Sequence, residues 1–170
     1  KTFSKGVIFF GKNLINFENN FIKKYKSKYG LAVKSGTDAL LISLMAIGVK
    51  RGDQVITASN TAIPTISAII NSGAIPVLVD VNDDYLMNYT KVLKAINSKT
   101  KAIIPVHLYG KSCDMTKLFS IIKNKNIHII EDCAQAQGSM FKNKFVGTFG
   151  SFGCFSFYPT KILGGYGDGG

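Results

Sequence analysis

The sequence predicts an α/β fold with three layers, in which helices cover both faces of a mostly parallel central sheet. Short runs rich in β-branched residues alternate with longer amphipathic or apolar segments along most of the chain. This alternation is typical of strand–helix–strand units. With 170 residues, 46% of them hydrophobic, the chain has the size of one domain and enough apolar residues for a core. We therefore expect a single domain over residues 1–170.

The individual elements follow from the spacing of apolar positions. Aromatic and aliphatic residues at helical spacing predict an amphipathic helix over residues 17–29, before a short strand over 31–34. The next helix, over 37–47, is apolar on nearly all sides, so we expect it to be buried. The remaining predicted strands are 53–58, 75–81, 102–106, 127–130 (ending in Glu131-Asp132) and 150–158, and the remaining helices are 63–71, 91–96 and 115–125.

The formal charge of +11 suggests an anionic partner such as nucleic acid or a membrane. However, only one of the 21 basic residues, Arg51, is an arginine, the residue best suited to reading phosphates and bases. The lysines are scattered over predicted helix faces. We interpret them as a solvated surface and expect no nucleic-acid or membrane partner. A DNA-binding regulatory module stays an alternative that only the net charge supports.

The cysteines and the two ends of the chain lead to expectations about disulfides, cellular location and truncation. Cys113, Cys133 and Cys154 form an odd set without CxxC spacing, which predicts neither a disulfide framework nor a zinc site, and no histidine cluster suggests another metal. Free thiols favour a cytoplasmic location. No segment has the apolar length of a membrane span or the pattern of a leader. The missing initial Met and the glycine-rich end lead us to expect truncation at both ends.

Polar residues that follow the predicted strands are the candidates for a site. In open α/β sheets, ligands bind beyond the carboxyl ends of the strands. The residues in such positions are 35–38, 59–61, Asp80, His107, Glu131, Asp132 and 156–161.

Three of these positions carry distinct chemistry. Gly36 and Thr37 open a helix after a strand, where free N–H groups and the helix dipole bind phosphate. Taken alone, however, this motif is better explained by an ordinary N-cap at Thr37 with no ligand. Asp132 ends an apolar strand, where a carboxylate needs a cation or a donor-rich pocket. Lys161 follows an apolar strand, and desolvation would make its amine a nucleophile towards aldehydes. For His107 we expect a hydrogen-bonded structural role.

One cofactor accounts for all three positions. Pyridoxal phosphate needs an amine for its aldehyde, a carboxylate to keep its pyridine nitrogen protonated, and an anion site for its phosphate. Lys161, Asp132 and the Gly36-Thr37 turn supply these groups, and Ser156 is a further candidate phosphate donor. The combination is more specific than any one of the motifs.

Four ordered motifs together resemble the DegT/DnrJ-type family of nucleotide-sugar aminotransferases. They are SGTDAL (35–40), PVHLYG (105–110), EDCAQ (131–135) and FSFYPTK (155–161). The resemblance implies the large domain of a fold-type I pyridoxal phosphate enzyme. Such an enzyme moves an amino group, usually from glutamate, onto a keto sugar carried on a nucleoside diphosphate, to make an amino sugar for a surface polysaccharide or a glycoside.

The resemblance also implies roles for single residues. Lys161 would form the Schiff base and shuttle protons between the cofactor and the substrate carbon. Asp132 would pair with the pyridine nitrogen, and Gln135 would lie beside the phenolic oxygen. The residues implied to hold the phosphate are Gly36, Thr37 and Ser156.

Two departures from the family pattern limit the resemblance. Ala62 stands where the family usually places an aromatic residue that stacks on the cofactor ring. Family members are also about twice as long, with a small C-terminal domain, and work as homodimers. We therefore expect this chain to be an N-terminal large-domain fragment that is inactive by itself.

Three alternatives to the aminotransferase remain. A pyridoxal phosphate sugar dehydratase of the same family would carry histidine in place of Lys161, which argues against it. A dinucleotide-binding fold would place its glycine fingerprint after the first strand, whereas the glycines here follow Lys161. A module that binds the cofactor without turnover is the remaining non-enzymatic alternative.

Overall fold

A computed structural model describes residues 11–170 of the chain. The chain divides into two compact units, Lys1–Ala32 and Val33–Gly170, and the described part of the first unit begins at Gly11. The single domain expected over residues 1–170 stays a prediction.

The first unit contains helix α1, Lys12–Tyr25. Phe17, Phe21 and Tyr25 form one stripe at i, i+4 spacing, and the rings of Phe21 and Tyr25 stack with centroids 4.3 Å apart. The helix ends four residues before the predicted position because Lys26 adopts a left-handed backbone conformation (φ 54°).

The second unit holds the remaining elements. Its helices are α2 Gly36–Ala46, α3 Ile63–Asn71, α4 Tyr89–Ala95 and α5 Met115–Ile122, with a short 3-10 helix at Leu108–Gly110. Its strands are β1 Gln54–Ala58, β2 Ile75–Val79, β3 Thr100–Ile104, β4 His128–Asp132, β5 Met140–Phe141, β6 Lys144–Phe145 and β7 Phe152–Cys154.

Five of the strands form one parallel sheet in the order β2-β1-β3-β4-β7. Since all of its pairs are parallel, the carboxyl ends of the strands lie along one edge. The segments that follow Ala58, Ile104, Asp132 and Cys154 therefore emerge on the same side of the sheet.

Alternating side chains of the strands build the two faces of the sheet. Ile56, Ile103 and Ile129 join one buried cluster with residues of α4 and α5. Their neighbours Val55, Ile104 and Ile130 join a second cluster with residues of α2 and α3. Each fully buried aliphatic side chain contributes about 1.5–3 kcal/mol of hydrophobic free energy. The predicted three-layer α/β/α fold with a mostly parallel sheet is confirmed.

Two local expectations are wrong, and one element was not expected. Residues 31–34 do not form a strand; instead Val33 exchanges two backbone hydrogen bonds with Gly170, which is a single pair rather than a ladder. Helix α2 is buried on one face only, since Ile42 is 47% and Met45 63% exposed. The hairpin β5–β6 was not predicted, because its strands are two residues long. Its turn places Lys142 and Asn143 at positive φ, as primed hairpin turns require.

None of the helices among residues 11–170 combines the length and apolar character needed to cross a membrane.

Candidate functional site

A cavity of about 320 Å³ lies at the carboxyl edge of the sheet, within the second unit. Its wall is built by the N-terminal ends of α2 and α3 and by the segments that follow β3, β4 and β7. The lining residues are Ser35, Gly36, Thr37, Leu40, Thr61, Ala62, Pro64, Thr65, Val106, Leu108, Asp132, Ala134, Gln135, Ser156, Tyr158, Lys161, Asp168 and Gly169. All six residues expected to bind the cofactor are therefore brought to one cavity.

The start of α2 forms a cradle of backbone donors. Ser35 is the N-cap, and its hydroxyl accepts a hydrogen bond from the N–H of Asp38 at 3.1 Å. The alternative of an N-cap at Thr37 is therefore wrong. The N–H groups of Gly36 and Thr37 come first in the helix and have no intrahelical acceptor. Both residues line the cavity, so the positive end of the helix dipole lies at the cavity wall.

Gly36 is required by the close approach of the segment after β7. A Cβ atom at Gly36 would lie 2.8 Å from the Cβ of Ser156 and 3.3 Å from the carbonyl oxygen of Phe155. Any larger residue would push α2 away from Ser156. The absence of a side chain at Gly36 therefore lets the N-terminus of α2 lie close to Ser156.

Asp132 lies at the last position of β4 and is 4% exposed. Its Oδ1 accepts from the N–H of Ala134 at 3.1 Å, and its Oδ2 accepts from the hydroxyl of Thr65 at 2.8 Å. Burial raises the pKa of the carboxyl above its usual value, while these two donors and the nearby amine of Lys161 oppose the rise. A cation facing the cavity would hold the group ionised.

Thr65 is a site residue that the sequence reasoning missed. It lies in the first turn of α3, is 1% exposed, and its hydroxyl accepts from the hydroxyl of Thr61 at 2.8 Å while donating to Asp132. The available signal was the pair of threonines at i, i+4 where a helix follows a predicted strand.

Lys161 and Ser156 lie in the segment after β7. Ser156 is 8% exposed, and its hydroxyl accepts from the N–H of Tyr158 at 3.4 Å. Lys161 is half-buried in a turn that its N–H closes on the carbonyl oxygen of Tyr158. Two further backbone bonds tie Phe157 to Gly165 and Gly169, so the lysine lies in a closed loop.

Gln135 is positioned by a strained neighbour. Its Oε1 accepts from the N–H of Tyr109 at 3.1 Å, and Tyr109 has a left-handed backbone (φ 56°). Because the amide oxygen is engaged, the NH₂ group is the end of Gln135 that can donate to a ligand oxygen.

His107 and Glu131 form a buried network beneath the site. The Nδ1 of His107 accepts from the N–H of Cys113 at 3.0 Å, so the proton is on Nε2, which donates to Glu131 at 3.1 Å. The Glu131 carboxylate also accepts from the N–H groups of Gly147, Phe149 and Gly150. The hydrogen-bonded state expected for His107 is confirmed, and both of its ring nitrogens are engaged.

Cys133, His107 and Glu131 lie close enough together for their side chains to coordinate one metal ion. However, the imidazole and the carboxylate already have internal partners, and burial raises the pKa of the Cys133 thiol well above its usual value. The arrangement is that of a structural hydrogen-bond network. Burial likewise raises the pKa of Cys113 and Cys154 to about 12.

Several candidate positions lie outside the cavity wall. Among the residues that follow strands, Asp38, Ser59, Asn60, Asp80, His107 and Glu131 do not line it. Asp80 instead forms an exposed ion pair with Lys91 at 3.5 Å. Ala62 does line the cavity, and within the described chain Tyr158 is the only aromatic residue of the wall. Position 62 thus carries a small side chain where the resemblance led us to expect an aromatic one.

Comparison with known proteins gives consistent matches. The model of the DegT/DnrJ/EryC1/StrS aminotransferase family matches residues 1–170. The chain is 45% identical, over 171 aligned positions, to the dTDP-3-amino-3,4,6-trideoxy-alpha-D-glucose transaminase of Micromonospora megalomicea subsp. nigra. That alignment covers 100% of this chain and 46% of the relative, so the chain spans less than half of the relative's length.

Two solved structures extend the comparison. A DegT DnrJ EryC1 StrS aminotransferase from Brucella abortus superposes with a TM-score of 0.93 at 35% identity, covering 99% of this chain and 47% of that one. NtdA from Bacillus subtilis, with bound cofactor PMP, superposes with a TM-score of 0.88 at 34% identity, covering 94% of this chain and 36% of that one.

Proposed function

Because the chain belongs to the DegT/DnrJ/EryC1/StrS aminotransferase family, we propose that it forms the cofactor-binding part of a pyridoxal phosphate-dependent sugar aminotransferase. The observation that carries this proposal is the convergence of three groups on one cavity. They are the open N-terminus of α2, the buried carboxylate of Asp132 and the amine of Lys161. No single one of them would be specific.

The residues of the cavity fit the cofactor. Its phosphate needs backbone donors at close range. Because Gly36 has no Cβ, the first turn of α2 lies close to Ser156, and both can face the same phosphate. Its ring nitrogen needs a carboxylate that is stable in a dry environment, and Asp132 is buried with a donor on each oxygen. A relative of known structure, NtdA, holds the amino form of the same cofactor, which supports the assignment.

Each residue then has a definite task. Gly36, Thr37 and Ser156 bind the phosphate, and Asp132 keeps the pyridine nitrogen protonated. Gln135 donates from its NH₂ group to the phenolic oxygen, which its fixed amide oxygen favours. When bound, pyridoxal phosphate supplies an aldehyde and an electron sink for carbanion chemistry.

Lys161 has two tasks, and its place in the cavity supports both. Its amine would hold the cofactor by condensing with the aldehyde, with loss of water, until the amino donor displaces it. The freed amine would then carry a proton from the donor carbon to the C4′ carbon, and in the opposite direction in the second half of the reaction.

The substrates follow from the family and from the named relatives. We infer a keto sugar on a nucleoside diphosphate as acceptor, as the name of the Micromonospora relative supports. The amino donor is glutamate, which takes its new keto oxygen from water and leaves as 2-oxoglutarate. The carbonyl oxygen of the sugar leaves as water, so no net water is formed. The enzyme acts as a cytoplasmic homodimer and contributes to an amino sugar of a surface polysaccharide or a glycoside.

Absorbance spectroscopy tests the proposal. Addition of pyridoxal 5′-phosphate to the protein should produce a new band at the edge of the visible range, and Lys161→Ala should abolish that band. Lys101→Ala is the matched control, because Lys101 is also half-buried but lies on β3 outside the cavity wall. The proposal fails if the folded wild-type protein gives no band, or if both variants behave alike.

A further inference from the structure

Two threonine hydroxyls connect helix α3 to the carboxylate of Asp132. Thr61 Oγ1 donates to Thr65 Oγ1 at 2.8 Å, and Thr65 Oγ1 donates to Asp132 Oδ2 at 2.8 Å. Both threonines line the cavity, but Thr65 is 1% exposed whereas Thr61 is half-buried. The bonds therefore run from the cavity wall into the buried end of β4.

The direction of these bonds is determined by the carboxylate, because an ionised Asp132 can only accept. The one hydrogen of the Thr65 hydroxyl is therefore donated to Asp132. The Thr65 oxygen is then the acceptor for the hydroxyl of Thr61. The second carboxylate oxygen of Asp132 accepts from the N–H of Ala134 at 3.1 Å. Each oxygen of the carboxylate thus accepts one hydrogen bond, and the two bonds together fix the orientation of the group.

Thr65 does not serve the helix in which it lies. The N-cap of α3 is Ala62, and that cap has no side-chain hydrogen bond. A serine or threonine inside a helix commonly bonds to the carbonyl oxygen four residues earlier, as Ser43 does with Ala39 in α2 at 2.7 Å. The hydroxyl of Thr65 instead reaches a residue 67 positions later in the chain. This bond favours a role in the site over a role in capping.

A buried carboxylate needs such a donor if it is to stay ionised. Burial is the largest influence on Asp132 and raises the pKa of its carboxyl, whereas the Ala134 N–H and the Thr65 hydroxyl lower it. A hydrogen bond to a charged group is worth more than one between neutral groups. Loss of the Thr65 hydroxyl would leave Oδ2 without a donor in a dry environment.

We propose that Thr65 is a positioning residue of the cofactor site, which orients the Asp132 carboxylate towards the pyridine nitrogen, and that Thr61 orients Thr65. This inference rests on the proposed function. It adds the start of α3 to the elements that build the ring-binding end of the cavity. It also gives a reason for the i, i+4 spacing of the two threonines.

The test compares three variants by absorbance titration with pyridoxal 5′-phosphate. Thr65→Val keeps the shape of the side chain and removes the hydroxyl, so the dissociation constant should rise about tenfold. Thr65→Ser keeps the hydroxyl and should restore binding to within about threefold of wild type. Thr57→Val is the matched control, because Thr57 is also fully buried but donates to the Ile104 carbonyl oxygen outside the cavity wall.

The outcomes separate the two proposals. Weak binding by Thr65→Val, recovery in Thr65→Ser and normal binding by Thr57→Val would support the inference. Wild-type affinity in folded Thr65→Val, equal loss in Thr65→Ser, or equal loss in Thr57→Val would overturn it. A wild-type protein that gives no cofactor band would instead refute the proposed function.

Thr61→Val covers the case in which Thr65→Val does not fold. Thr61 does not touch Asp132, so the loss of its hydroxyl should raise the dissociation constant by about threefold through Thr65 alone. The band of the bound cofactor should also change shape, because the carboxylate that faces the ring is less firmly held. Unchanged affinity together with an unchanged band would overturn the inference that Thr61 acts on Asp132 through Thr65.

Discussion

Single residues of the cavity meet two requirements, close backbone approach at Gly36 and fixed hydrogen-bond donors around Asp132. Gly36 has no Cβ, and that absence lets Ser156 lie against the first turn of α2. Asp132 and Thr65 show the complementary requirement, since a buried charge needs donors at fixed positions. The glycine and the carboxylate were predictable from motif and strand position. Thr65 was not, because its role depends on a contact between segments 67 residues apart.

Replacement of Gly36 by alanine should weaken the phosphate cradle. The new methyl group would lie 2.8 Å from the Cβ of Ser156, so α2 and Ser156 must separate. We expect the affinity for pyridoxal phosphate to fall at least about tenfold, as equilibrium dialysis can measure. Gly167→Ala is the control, because a Cβ there meets no atom within 4 Å. Equal affinities of the two variants would contradict the close approach.

The raised pKa of Asp132 predicts a pH-dependent stability. In the cofactor-free protein the folded state holds the proton more tightly than the unfolded state, so stability falls as pH rises from the unfolded pKa through the raised folded pKa. Asp132→Asn removes this loss. The melting temperature of the variant minus that of the wild type should therefore increase with pH. A pH-independent effect of the substitution on stability would shift this difference equally at every pH. A difference that stays flat or decreases between acidic and neutral pH would rule out the raised pKa.

Single elements were predictable where one periodicity extends over many residues. Helix α3 has the predicted bounds, and the central strands differ from their predicted bounds by a few residues. The failures occur where tertiary contacts decide. Residues 31–34 have strand-like composition but pair at a single position with Gly170, and β5–β6 is too short to give a periodic signal.

The carboxylate of Glu131 connects β4 to the loop before β7. It accepts three backbone N–H groups of residues 147–150 and the Nε2–H of His107, and it is fully buried. Glu131→Gln replaces one acceptor oxygen by a donor that faces other donors. We expect a loss of about 2–4 kcal/mol in the free energy of unfolding, measured by urea titration.

A surface carboxylate provides the control for Glu131. The side chain of Asp80 is 72% exposed and forms an ion pair with exposed Lys91. Asp80→Asn should change stability by less than about 0.5 kcal/mol. A comparable loss in both variants, or none in Glu131→Gln, would show that the buried carboxylate does not hold the loop.

At the scale of the whole molecule, the parallel sheet explains why distant motifs make one site. Residues 35–37, 132–135 and 156–161 are far apart in sequence, yet parallel strands end on one edge and bring them to one cavity. The family motifs predicted the members of this cavity but not its hydrogen bonds. The small side chain at Ala62 was predictable from the sequence, whereas the presence of Tyr158 in the same wall depends on how the segment after β7 packs.

The central claim is that Lys161 is the residue to which pyridoxal phosphate attaches in this cavity. Reduction with borohydride after incubation with the cofactor, followed by peptide mass mapping, tests the claim directly, since the chain has many other lysines. The account predicts one stoichiometric adduct on Lys161, which Gly36→Ala weakens and Gly167→Ala leaves unchanged. An adduct spread over surface lysines, or one concentrated on a lysine outside the cavity, would contradict it.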